Sequence, residues 1–102
     1  VDVKHYYTIT FHLDFYTPLG WVNQGSLVTA PEEIGSIKVL EGTTIDLTQY
    51  SRTTVRKYGL STRTFKVVGW DTSKPGNLST EKGFTSFTVS GNQDLYACWE
   101  KQ

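Results

Sequence analysis

The side chains that could do chemistry are few and scattered: one cysteine, two histidines and ten carboxylates in 102 residues. Cys98 sits in an apolar, alternating stretch with no upstream histidine at an activating spacing. It is expected as a packed or semi-exposed thiol rather than a nucleophile. His12 has no second histidine, cysteine or carboxylate cluster near it in sequence, so it is expected as an exposed cross-strand residue rather than a metal ligand. Glu32 and Glu33 are adjacent, and a strand would send them to opposite faces. General acid–base work needs two titratable groups converging on one cleft. Serines, histidines and aspartates occur, but no G-x-S-x-G elbow does. The expectation is a non-enzyme with no cofactor and no metal.

Binding chemistry has two sources. Trp21, Tyr16 and Tyr6 are aromatics that could form a flat platform for a sugar or a partner, and Trp21 could equally cap the core. Arg52, Arg56, Lys57 and Arg63 form a basic cluster, read as a solvated face rather than an anion site. Ten basic and ten acidic residues give no net charge, so the electrostatic footprint that phosphate binding needs is absent. No run of about 18 apolar residues is present to span a bilayer. No nucleic-acid partner and no membrane insertion are expected. The start Val1-Asp2-Val3-Lys4-His5 lacks an apolar signal region, and the chain is expected to be a fragment of a longer protein, with any targeting signal outside the fragment.

Strands must position whatever these residues do. Tyr7, Ile9, Phe11 and Leu13 alternate with Tyr6, Thr8, Thr10 and His12, which marks a strand with one buried face. Thr17-Pro18-Leu19-Gly20 breaks it, and Trp21-Val22 and Leu27-Val28 then flank a hairpin or structured loop. Ser36–Glu41 is extended again. Thr44 and Asp46 suit a first helical turn, and Leu47, Tyr50, Thr54 and Tyr58 follow roughly helical spacing toward Gly59. The run Thr53-Thr54-Val55 opposes a long helix. A short helix is expected near Asp46–Arg52, with Thr53–Tyr58 open.

In Thr64–Trp70, alternation places Phe65 and Val67 on one face and Lys66, Val68 and Trp70 on the other. Gly69 permits a bulge or a close backbone approach. Phe84–Val89 is a short edge element. The chain closes on Leu95, Ala97 and Trp99 against Tyr96, Cys98 and Glu100, a stretch too apolar to leave outside a sheet.

Three blocks stand in a telling order: Tyr7-Thr8-Ile9-Thr10-Phe11, then Glu41-Gly42-Thr43-Thr44-Ile45-Asp46-Leu47, then Phe65 to Gly69-Trp70 ahead of Leu95-Tyr96-Ala97-Cys98-Trp99-Glu100. This order resembles the Listeria–Bacteroides repeat, the B-repeat type of module found in internalin B. The chain is longer than a usual repeat, with extra residues around Phe15–Ala30 and Gln49–Arg63. The resemblance implies a single B-repeat-like module over residues 1–102. Its expected fold is α+β, β-grasp-like, a mixed sheet of about four to five strands with one short helix and with first and last strands adjacent and parallel. It also implies a non-catalytic accessory module on the bacterial cell surface or cell wall, serving as spacer, presenter or adhesion unit. Its partners would be neighbouring domains of the same chain, and a host or wall glycan or protein. Carbohydrate binding through Trp21, Tyr16 and Tyr6 is the alternative.

Overall fold

A computed structural model describes residues 3–14, 26–73 and 82–102. Eight strands follow one another: β1 (Tyr6–His12), β2 (Ser26–Thr29), β3 (Gly35–Leu40), β4 (Thr44–Asp46), β5 (Thr53–Tyr58), β6 (Ser61–Asp71), β7 (Ser86–Thr88) and β8 (Gln93–Lys101). Six of them form one curled sheet in the order β2-β5-β6-β8-β1-β3, and β4 pairs with β7 in a second, two-stranded sheet.

This overturns the expected α+β, β-grasp-like arrangement of four to five strands with a helix. The expected helix at Asp46–Arg52 is a single 3₁₀ turn, Leu47–Tyr50. Its cap is Asp46, whose side chain accepts the Thr48 N–H, while Thr44 lies back in β4. The turn stops at Ser51, which is extended at φ −63°, ψ 138°. The β-branched Thr53-Thr54-Val55 then enters β5, where such side chains are least restricted. The helical spacing of Leu47, Tyr50, Thr54 and Tyr58 was coincidental: Thr54 is buried through the sheet, with its hydroxyl donating to the Thr29 carbonyl at 2.9 Å. Gly59, expected at a helix end, sits in the tight turn joining β5 to β6.

The core lies on one face of the large sheet. Ile9 and Phe11 from β1, Phe65, Val67 and Trp70 from β6, and Leu95, Ala97 and Trp99 from β8 are all buried there. Ile45, Leu47 and Val89, from the small sheet and the turn, cover them. Trp70 reaches this face because the register slips between Val67 and Gly69. Val67 pairs with Trp99, Gly69 with Cys98 and Trp70 with Ala97, so Val68 is an extra residue that swings Trp70 to the side of Phe65 and Val67. Plain alternation had placed Trp70 on the opposite face.

Gly69 also meets the close approach its identity permits. A Cβ there would collide with the Lys82 carbonyl oxygen. Phe84 exchanges both backbone hydrogen bonds with Trp70, at 2.8 and 2.9 Å. The segment Lys82–Phe84 thus closes over β6 and leaves Cys98 fully buried beneath Gly83.

The register also sets the length of the molecule. Ile9 is level with Gln93 in parallel β1 and β8, so Tyr6 lies three positions before β8 begins. Phe65 is level with Lys101, so Ser61 lies four positions beyond β8's end. At roughly 3.3 Å per residue, this stagger stretches the sheet to about 50 Å. The molecule measures 62 × 23 × 18 Å. Its radius of gyration is 15.3 Å, against about 13 Å for a compact domain of this size. It is a rod.

Candidate functional site

The polar face of the large sheet carries the side chains that the core does not use. Tyr6, Thr8, Thr10 and His12 alternate along β1 against the buried Ile9 and Phe11. Tyr6 is 68% exposed, but the other two members of the expected platform, Tyr16 and Trp21, lie outside the described residues. Tyr6 lies six positions along β1 from the aromatic pair at the other end of the strand, too far for one small ligand to touch both.

That pair is His12 and Tyr96. Parallel register puts them directly opposite, and their rings stack at 4.7 Å with 16° between planes. His12 Nε2 lies 3.0 Å from Asp94 Oδ1, and because an ionised carboxylate only accepts, the proton belongs to the ring nitrogen. Thr10 and Ser36 hydroxyls meet across β1 and β3 at 2.9 Å. His12 is a cross-strand residue on the polar face, as its place in the alternation indicated, but it is half-buried rather than exposed. The sequence signal for Asp94 and Tyr96 was the period-two pattern, but their meeting with His12 depends on parallel pairing, which alternation does not reveal.

Two hollows mark the other end of the sheet. One, about 250 Å³, lies between the 3₁₀ turn and β6, lined by Leu47, Thr48, Ser51, Val68, Trp70 and Thr85 among others. It opens where β5 stops short and β6 runs on. Ser51 bridges the gap, its hydroxyl donating to the Val67 carbonyl at 2.6 Å. Lys66 is the one ionisable side chain that lines it. The second is a broader hollow of about 460 Å³ lined by Thr29, Ala30, Glu32, Ser51, Arg52, Thr53 and Lys66. Arg52 spends two donors on backbone there, Nε on the Glu32 carbonyl at 3.2 Å and Nη1 on the Ser51 carbonyl at 3.1 Å.

The basic cluster is divided by the sheet. Arg56 and Arg63 face each other across β5 and β6, whereas Lys57 pairs with Thr62 on the opposite face. Arg63 lies 5.6 Å over the Tyr58 ring, a cation–π contact. Arg52 precedes β5 and bonds backbone instead. The four side chains do not converge on one anion.

The carboxylates also stay apart. Among the described residues, no three of His, Cys, Asp and Glu come together to hold a metal. Asp46 is held below its ordinary pKa of 3.8, first by the Thr48 hydroxyl and second by the Thr48 N–H, with slight desolvation opposing. This bond system caps the turn and faces no cleft. No described helix is long and apolar enough to cross a membrane.

The feature that organises the molecule is instead the seam between β1 and β8. Four residue pairs are in parallel register there, from Ile9 with Gln93 to His12 with Tyr96. Beyond one end, the Thr8 N–H donates to Asn92 Oδ1 at 2.8 Å. Beyond the other, Trp99 Nε1–H donates to the Asp14 carbonyl at 3.0 Å. Because the strands are parallel, the chain enters β1 at one end of the rod and leaves β8 toward the other. Comparison with protein-family models, curated proteins and solved structures finds no match to this chain.

Proposed function

We propose that the chain is a non-catalytic accessory module of a secreted or wall-anchored bacterial surface protein, and that it holds neighbouring domains apart. The observation that carries this reading is the direction of β1 and β8. Antiparallel first and last strands would bring both ends of the module to one side and fold its neighbours back on each other. Parallel strands separate them. From the level of Tyr6 to that of Lys101 is eleven positions, or about 35 Å along the rod.

The resemblance of the Tyr7–Phe11, Glu41–Leu47 and Leu95–Glu100 blocks to bacterial surface repeats supports the setting. The scattered carboxylates and the open hollows support a role without chemistry. Carbohydrate binding is the competing reading, favoured by the exposure of Tyr6. A screen of the isolated domain against a glycan array and against bacterial and host surfaces separates the two. The spacer reading expects no retained sugar. Retention of a defined glycan, lost in Tyr6→Ala, would replace it with the carbohydrate reading.

A further inference from the structure

The seam between β1 and β8 divides the large sheet into two blocks, β3-β1 on one side and β8-β6-β5-β2 on the other. Within the sheet, no other strand pairing among the described residues joins them. Each seam strand is backed by a longer ladder: β1 pairs with β3 over six positions and β8 with β6 over six. The seam itself has only four. Such a joint would be the place to part first, yet three further hydrogen bonds reinforce its short ladder. The Thr8–Asn92 bond extends it at the bottom, the His12–Asp94 bond lies across it, and the Trp99–Asp14 bond extends it at the top. The side chains behind it, Ile9, Phe11, Leu95 and Ala97, are wholly or almost wholly buried.

We infer that this seam is a mechanical clamp, so that the module bears tension between the domains it separates. Tension on the two ends draws β1 back along its own axis and β8 forward along its axis. The strands are then loaded in shear. All the bonds of the seam share the load and must fail together, along with the apolar contacts that slide past one another. Loading across the seam breaks the same bonds one at a time. Resistance to force is set by the unfolding barrier rather than by equilibrium stability, so the direction of pull decides the strength of one and the same set of bonds. A tether on an exposed cell surface would need that property. The inference rests on the spacer reading for its purpose but not for its measurement. A strong seam in a sugar-binding protein would leave the clamp standing, and a weak seam in a silent spacer would remove only the clamp.

Single-molecule pulling on the whole chain tests it in two geometries at one pulling speed. In the first, handles are attached at the N- and C-terminal residues, which shears the seam. In the second, they are attached at the N-terminus and at Gly91→Cys. Gly91 is level with Tyr7 at the same end of the seam, and a Cβ there meets nothing within 4 Å. The buried Cys98 does not compete for the handle. This second geometry peels the seam open. The clamp predicts a several-fold higher unfolding force in shear than in peel. It also predicts that Asp94→Ala, at an exposed position whose bond to His12 lies beyond the end from which peeling starts, lowers the shear force and leaves the peel force unchanged. Equal forces in the two geometries would overturn the inference, as would an Asp94→Ala variant that weakens peel alone.

Discussion

At the scale of single residues, burial and hydrogen bonding fall on the same few side chains. Trp99 is fully buried and also donates its indole N–H to the Asp14 carbonyl, so it ties the chain just past the end of β1 to the middle of the core. Trp99→Ala should cost about 3–5 kcal/mol, the range for a large aromatic cut from a packed interior. A thermal or urea melt like that of the parent chain would contradict its place there. Asp46 behaves differently, since it acts by charge. Its carboxylate is stabilised by Thr48, so its folded pKa lies below the unfolded value near 3.8. The contribution is fully present above that value and is lost as pH falls through the lower folded one. Asp46→Asn should therefore flatten the loss of thermal stability as pH falls below about 4, which melts over a falling pH series would read. Alternation alone picked out Ile9, Phe11, Leu95, Ala97 and Trp99 as core. It misplaced Trp70, because one extra residue at Val68 inverts everything after it, and Gly69 showed only that a bulge was permitted.

Elements were legible where one face is buried along their whole length. β1 and β8 alternate cleanly, and both stand close to where the pattern puts them. The 3₁₀ turn and β5 were harder, because four side chains at helical spacing outweighed the β-branched run that follows. What decides the matter is tertiary: Thr54 finds an acceptor on Thr29, and β5 finds a partner on either side. The bulge in β6 is the element whose geometry is least forgiving. Its Gly69 lies against backbone of the Lys82–Gly83 segment rather than against a movable side chain. Gly69→Ala should thus destabilise by more than about 1 kcal/mol, even though alanine normally gains from a less flexible unfolded chain. A urea midpoint equal to or above the parent's would show that Lys82 yields and that the closure over Cys98 is loose.

The whole molecule is a staggered rod, and its length comes from register rather than from the number of residues. That stagger is not written in local pattern. It follows from which residue of β1 lies beside which residue of β8, and from how far β6 overshoots both. The parallel pairing of the first and last strands was expected only through the family resemblance. The number of strands, and the replacement of the helix by a turn, were not. Of the expected platform only Tyr6 is among the described residues, exposed at one end of β1, while the stacked His12–Tyr96 pair at the other end emerges only once the strands are paired.

The measurement that bears most directly on the spacer account is a distance between spin labels at Tyr6→Cys and Lys101→Cys, both exposed positions. Parallel β1 and β8 predict a separation of about 35 Å. A separation near one or two strand spacings, roughly 5–10 Å, would mean that the two ends lie together and that the module holds nothing apart.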